Sequence, residues 1–269
     1  MSNSSKTGKV YLVGGGPGDP ELLTMKAHRV LGIADAVVYD RLISSDVLDL
    51  VPAGAARFFV GKQTNNHTMP QEEINALLVN LALSGHTVVR LKGGDPYVFG
   101  RGSEEAIELI KSEVPFEVIP GITAAAGAAA SIGVPLTHRG MATGVRFVTG
   151  HCRSDVPLDM DWKSLADPNT TLVVYMGLAN MGQISANLMA AGLSGDTPVM
   201  AVSKATTTEQ QTCKATLATL VDTVNSKKLK SPVLIIIGQV AGLADIIGPE
   251  MMANRGSDDN KKIRSIANA

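Results

Sequence analysis

Only two cysteines, Cys152 and Cys213, occur in this 269-residue chain. They fit no zinc spacing and no C-x-x-C redox motif, and two thiols are not the framework of a disulfide-stapled secreted scaffold. Both are read as reduced. Aromatic residues are also scarce, at 4%, with a single tryptophan. The core must therefore be built from Ala, Val, Leu and Ile, which suits helices packed closely on a sheet. Neither sign of charge is in excess: 24 Lys and Arg stand against 25 Asp and Glu. Nothing in bulk points to nucleic acid or to an anionic membrane. Long hydrophobic runs are missing too. The most apolar stretch, residues 122–136, is too short and too rich in Gly and Ala to span a bilayer. Residues 1–9 lack the apolar segment of a signal peptide. His138 has no second histidine at metal-ligand spacing. These absences lead to the expectation of a cytoplasmic protein, binding no nucleic acid, membrane or metal, with one large or two medium domains.

What the chain does have is glycine in particular places. Residues 92–102 read Lys-Gly-Gly-Asp-Pro-Tyr-Val-Phe-Gly-Arg-Gly, directly after the strand-like run 87–91. Glycine loses the most backbone freedom on folding, so such a loop is a poor stabiliser. It makes sense where a ligand lies against bare main chain. The two aromatics and the arginine within it point to a ligand with a flat ring and negative charge.

The first half repeats one unit, a short Val/Ile-rich strand, a polar or glycine-rich turn and a helical pattern. Strands are expected at 10–13, 36–39, 58–60, 87–91 and 116–119, with helices over 21–34, 74–84 and the alanine-rich stretch from 124. Strands alternating with helices argue for a parallel sheet covered on both faces. Ligands bind outside the carboxyl ends of such strands. Each unusual segment (Gly14–Asp19, Asp40-Arg41, Gly61-Lys62, the 93–102 loop and 120–124) follows a strand, so all five are expected to meet on one rim. A second unit begins near Gly144, with strands at 145–149, 172–176, 199–203, 212–216 and 233–237 and a helix over 177–191. The 210–215 region lacks helical periodicity and is expected to be an antiparallel strand, giving a mixed sheet. The expected organisation is an α/β protein of two α/β domains, 8–140 and 144–247, with a ligand in the cleft between them and flexible tails at 1–7 and 248–269.

The Gly14 loop invites a dinucleotide reading, since Asp40 lies at the distance of a ribose contact. Yet Asp19 occupies the third glycine position, and Pro17 removes an amide that phosphate would need. Asp40 and Lys62 could equally be a helix cap and a solvated lysine. Arg101 and Glu104, three apart at a helix start, could pair with each other. The small residues of 124–131 are explained by close packing. Arg41, Lys62, Lys92, Arg101, His138 and Arg139 all fall in motif segments of a chain with almost no net charge. Such local excess is expected to focus a positive field in one cleft, suited to a polycarboxylate beside a second ligand on glycine main chain.

Specific blocks carry a resemblance. Val13-Gly14-Gly15-Gly16-Pro17-Gly18-Asp19-Pro20-Glu21-Leu22-Leu23-Thr24, Val38-Tyr39-Asp40-Arg41-Leu42, Val60-Gly61-Lys62, Arg90-Leu91-Lys92-Gly93-Gly94-Asp95-Pro96, Phe99-Gly100-Arg101-Gly102, Pro120-Gly121-Ile122-Thr123-Ala124-Ala125 and Pro135-Leu136-Thr137-His138-Arg139 resemble the uroporphyrinogen-III C-methyltransferases. The first and fourth blocks alone would mark only the wider tetrapyrrole methylases. The likeness runs from about residue 8 to 244. It implies a homodimer with the tetrapyrrole methylase fold and S-adenosyl-L-methionine as methyl donor. Pro17, Gly93, Gly94, Asp95, Val98, Thr123, Ala124 and Met176 are implied as donor contacts, with Ala205 standing where relatives often have glycine. Asp40 is implied as proton acceptor and Lys62 as donor, with Glu104 and Arg101 a rival acid/base pair. Arg41 and Arg139 are implied to hold acetate or propionate arms. The 63–67 segment departs from the usual pattern, which bears on substrate contacts. With no dehydrogenase/chelatase segment before it, the chain resembles the single-function form. The alternatives are a methylase of a later corrin precursor, a NAD-binding oxidoreductase on the Gly14 loop, and a non-catalytic binding module.

Overall fold

The computed structural model describes residues 7–61, 69–151 and 158–248. These form two compact units. The first runs to Gly127 and takes back Ala205–Thr208; the second comprises Ala128–Lys204 and the chain from Glu209.

The first unit is built on a five-stranded sheet of spatial order β3-β2-β4-β1-β5, with β1 Lys9–Gly14, β2 Ala36–Tyr39, β3 Ala56–Phe59, β4 Thr87–Lys92 and β5 Phe116–Ile119. Every pairing in it is parallel. Alternating side chains divide between two cores. Val13, Val37, Val89 and Leu91 pack with Ala27 and Leu31 of α1 (Met25–Leu31) and Val47 of α2 (Ser45–Leu48). Leu12, Val38 and Val88 pack with Ile74 and Leu78 of α3 (Gln71–Leu83) and Leu109 of α4 (Gly102–Lys111). Burial on both faces explains why these strands read as unbroken apolar runs.

The helix expected over 21–34 is shorter. Pro20–Leu22 forms one 3₁₀ turn, and the helix proper starts after Thr24, whose hydroxyl accepts the Ala27 amide at 3.1 Å. A competing side-chain cap overrode the periodicity. The strand expected at 58–60 lies two residues earlier at its start, Ala56–Phe59. The alanine-rich stretch is α5, Ala124–Ile132.

The second unit carries a mixed sheet, order β6-β7-β10-β8-β9, from β6 Gly144–Thr149, β7 Thr170–Tyr175, β8 Pro198–Ser203, β9 Gln211–Thr216 and β10 Val233–Ile237. β6 and β7 are parallel; β10 is antiparallel to both its neighbours, and β9 is antiparallel to β8, as its lack of helical period implied. The expected helix over 177–191 is α7, Met181–Ala190, preceded by a 3₁₀ turn at Leu178–Asn180; α6 (Trp162–Leu165) and α8 (Leu220–Lys227) complete the unit. Cys213 is buried and free, its thiol pushed up by burial. Cys152 lies outside the described residues. Among the described residues no helix is long and apolar enough to cross a membrane.

One surface feature has an expected pH signature. Lys26 and Lys9 both bond Glu117 and hold its carboxyl down at about 2, against an ordinary 4.5. The folded value is the depressed one, so the stabilisation is complete above about 4.5 and fades as pH falls toward about 2. At a partly exposed site it is worth no more than about 1 kcal/mol per pair. Glu117→Gln is expected to lower the thermal midpoint slightly at pH 7, by less at pH 3, and to leave it almost unchanged only as pH falls to about 2 and below, measured by circular dichroism.

Candidate active site

Because β1 to β5 are parallel, their carboxyl ends share one edge. Gly14 stands level with Lys92, Tyr39 with Leu91 and Phe59, and Val13 with Ile119. The five segments singled out in the sequence all leave from that edge. Of the last residues named there, Lys62 and the 63–67 segment fall outside the described residues.

The loops that follow β1 and β4 are sewn together main chain to main chain, and the loop after β5 is tied to them. Gly15 N–H donates to Lys92 O at 2.7 Å, Gly16 N–H to Gly94 O at 3.2 Å, and Gly94 N–H to Gly16 O at 2.7 Å. Asp95 ties the third loop in: Oδ2 accepts the Gly121 amide at 3.1 Å, while Oδ1 accepts the Tyr97 amide at 2.8 Å. Glycine is compulsory at this crossing. A Cβ on Gly121 would lie 2.3 Å from Gly94 O, and one on Gly14 would lie 2.4 Å from Gly121 N. Gly127 of α5 sits equally tight, with its would-be Cβ 2.5 Å from Pro17 Cγ. The small residues of this helix do serve packing.

Of the seven non-glycine residues at positive φ among the described residues, Glu113 and Lys228 follow helices α4 and α8, and the other five lie in loops after strands. Phe99 (53°) and Arg101 (58°) lie in the glycine loop, Met176 (55°) just after β7, and Lys204 (47°) and Thr206 (64°) on either side of Ala205. Such torsions are uncommon and concentrate where the chain is shaped for a task. Ala205 itself is not at positive φ, so its methyl group costs no backbone strain there. The Asp19 amide donates to Thr206 Oγ1 at 3.2 Å, which brings Ala205–Thr208 to the Gly14 loop.

Asp40, at the end of β2, keeps a quarter of its side chain exposed. Its Oδ1 accepts the Leu42 amide at 3.0 Å, and its Oδ2 faces Arg90 Nη2 at 3.4 Å. Gly61 packs behind it, where a Cβ would lie 2.9 Å from Arg41 N. Arg41 is exposed. Beneath Asp40 lies a charged cluster that sequence reading did not assemble. Glu105, wholly buried, accepts from Arg90 Nε at 3.0 Å and from Lys92 Nζ at 2.7 Å. Lys92 is therefore not part of a free positive field, as its place in the loop had implied: it is a buried, paired cation. Burial, with Arg90 alongside, lowers its ammonium below the ordinary range despite the pull of Glu105. The signal was present, since a buried apolar strand containing Arg and Lys needs an internal anion.

Arg101 and Glu104 do pair with each other, Nε to Oε1 at 2.8 Å and Nη2 to Oε2 at 2.7 Å, on the exposed side of α4. In the second unit, His138 and Arg139 stand exposed in a tight turn closed by the His138–Ala142 bridge. The chain leaving the carboxyl end of β6 approaches that leaving the carboxyl end of β7 closely. A Cβ on Gly150 would lie 2.5 Å from Gly177 Cα, and Asn180 Nδ2 donates to Gly150 O at 2.7 Å. Met176 leaves this edge with its side chain half exposed.

This architecture has relatives. The family model of tetrapyrrole (corrin/porphyrin) methylases matches residues 9–221. The chain belongs to the tetrapyrrole methylases. It is 54% identical over 238 residues to the uroporphyrinogen-III C-methyltransferase of Paracoccus denitrificans, covering 88% of this chain and 83% of that protein. It is 52% identical to the siroheme synthase of Hahella chejuensis over 89% of this chain, and spans only 51% of that longer protein. Among solved structures, the uroporphyrin-III C-methyl transferase of Thermus thermophilus complexed with S-adenosylhomocysteine superposes with a TM-score of 0.73 at 40% identity, over 87% of this chain and 93% of that one.

The strand-end loops of this tetrapyrrole methylase are held in shape by their own main-chain bonds. Leu42, Tyr97 and Phe99 stand exposed around the same loops. Pro17, Gly93, Gly94, Asp95, Val98, Thr123, Ala124 and Ala205 all belong to the first unit with Asp40, Arg41, Arg101 and Glu104, whereas Arg139 and Met176 belong to the second.

Proposed function

We propose that this tetrapyrrole methylase transfers two methyl groups from S-adenosyl-L-methionine to C-2 and C-7 of uroporphyrinogen III, giving precorrin-2 through precorrin-1, and S-adenosyl-L-homocysteine. The observation that carries the reading is the 54% identity to the Paracoccus enzyme over most of both chains. The convergence of Asp40, Arg41 and the glycine loops on one strand edge supports it. The donor supplies an electrophilic methyl group on a sulfonium.

A pyrrole carbon of the macrocycle attacks in line, and the cation formed on the macrocycle must shed a proton. The chain's work is alignment, exclusion of water and a place for that proton. Holding carbon and methyl in attacking geometry is worth on the order of several kcal/mol. Asp40 accepts the proton: its carboxylate is oriented from beneath, open to solvent at the rim, and at the edge where the loops meet. Lys62 is proposed as the proton donor. Glu104 is the rival acceptor, but both its oxygens are engaged by the Arg101 fork. Arg41 and Arg139 are proposed to hold acetate and propionate arms, and Pro17, Gly93, Gly94, Asp95, Val98, Thr123, Ala124, Met176 and Ala205 to contact the donor. The enzyme is proposed to act as a cytoplasmic homodimer, feeding siroheme- or cobalamin-type macrocycles.

The test is incubation with each candidate acceptor. Uroporphyrinogen III is expected to be methylated with saturation, and later corrin precursors are not. Saturable binding of NAD(H) with none of S-adenosylhomocysteine in calorimetry would reverse the assignment.

A further inference from the structure

Alternation along the strands puts Val38 and Asp40, and Val88, Arg90 and Lys92, on the sheet face covered by α3 and α4. Three ionisable residues thus enter a layer otherwise made of Val and Leu, and Glu105 of α4 meets them from above. Arg90 is 4% exposed and uses its whole fork: Nε on Glu105 Oε1 at 3.0 Å, Nη1 on Val38 O at 3.3 Å and Leu91 O at 3.0 Å, and Nη2 on Asp40 Oδ2 at 3.4 Å. Glu105 Oε1 also accepts from Lys92 Nζ at 2.7 Å and Gln71 Nε2 at 3.3 Å, while its buried Oε2 makes no hydrogen bond.

This arrangement is costly. Apolar side chains of similar volume usually hold such a layer as well or better, and a buried oxygen without a hydrogen bond is itself unfavourable. Its charges do not balance internally either. Arg90 and Lys92 against Glu105 leave one positive charge, and Asp40 is the anion that neutralises it. The buried cluster and the rim carboxylate are one electrostatic unit.

We propose that Arg90 is a positioning residue for Asp40, itself held by Glu105 and by the carbonyls of Val38 and Leu91. The guanidinium fixes the direction of the Asp40 carboxylate, whose other oxygen is fixed by the Leu42 amide. The proposal rests on the reading of Asp40 as the proton acceptor.

Arg90→Lys tests it. Lysine keeps the charge in the cluster but cannot span Glu105 and Asp40 together. With S-adenosyl-L-methionine and uroporphyrinogen III, kcat is expected to fall about 10- to 100-fold, the scale of a small misplacement of a catalytic group. Both KM values are expected to stay within about threefold. In an Asp40→Asn background the same change is expected to add less than about twofold in single turnover, because the group it positions is gone. Near-normal kcat for Arg90→Lys, a loss carried by KM, or full additivity with Asp40→Asn overturns the proposal. If Asp40→Asn itself turns over normally, the reading of Asp40 falls and takes this inference with it. An inactive Asp40→Asn beside an unimpaired Arg90→Lys removes this inference alone. Should Arg90→Lys fail to fold, Arg90→Gln, which leaves Glu105 paired with Lys92, is judged by the same criteria in both backgrounds.

Discussion

Asp40→Asn is expected to lower turnover of uroporphyrinogen III by about 10²- to 10⁴-fold, the usual worth of a positioned base, while calorimetric affinity for S-adenosylhomocysteine stays within about twofold. The substitution keeps the size of the side chain and its capacity to accept the Leu42 amide at 3.0 Å. It removes the charge that faces Arg90 and the lone pair that takes the proton. The loop should therefore keep its shape while the chemistry stops. Glu104→Gln is the counterpart. The Arg101–Glu104 pair is exposed and local to one turn of α4, so its loss is expected to cost less than about 1 kcal/mol of stability and at most a few-fold in rate. A dead Glu104→Gln beside an active Asp40→Asn would move the base from β2 to α4.

Gly121→Ala is expected to have the largest effect on the donor site. Its new methyl carbon would sit 2.3 Å from Gly94 O and 2.7 Å from Gly14 Cα, both main-chain atoms that cannot rotate away. The β1 and β4 loops must separate from the β5 loop, at about 1–3 kcal/mol of folding stability. The Gly121 amide would also be drawn off Asp95. Affinity for S-adenosylhomocysteine is expected to fall at least about tenfold, since on the order of 1.4 kcal/mol of distortion suffices for that. Gly54→Ala is the control: nothing lies within 4 Å of its would-be Cβ and its φ is not positive. It is expected to leave both affinity and thermal midpoint unchanged.

The contrast between these positions shows what was readable in the chain. The parallel first sheet and the mixed second one followed from Val/Ile runs punctuated by glycine, because strands buried on both faces can be made of little else. The common rim then followed from topology alone. Helix starts were harder. The helical reading reached back to Glu21, whereas Thr24 caps the helix before Met25, and only its hydroxyl on the Ala27 amide reveals the cap. Arg101–Glu104 pairing was visible from their spacing of three along a helix. The Arg90–Glu105–Lys92 cluster was not assembled, because its partners lie on β4 and α4 and sequence spacing carries no signal across elements. Yet parity along β2 and β4 already set Asp40, Arg90 and Lys92 on one face, and Glu105 shares the buried stripe of α4 with Gly102, Ala106 and Leu109. Lys92 shows the cost of reading charge without burial: a lysine in a glycine loop looks like a ligand contact, and here it is an internal counter-ion.

The most direct measurement is the stoichiometry of methyl transfer. Enzymatically prepared uroporphyrinogen III is incubated with excess S-adenosyl-L-methionine labelled in the methyl group, and the macrocycle is isolated and weighed by mass spectrometry. Two labelled methyl groups on carbon, with two molecules of S-adenosyl-L-homocysteine released per macrocycle, are the predicted result. An unmodified macrocycle recovered from folded enzyme that binds the donor would contradict the account.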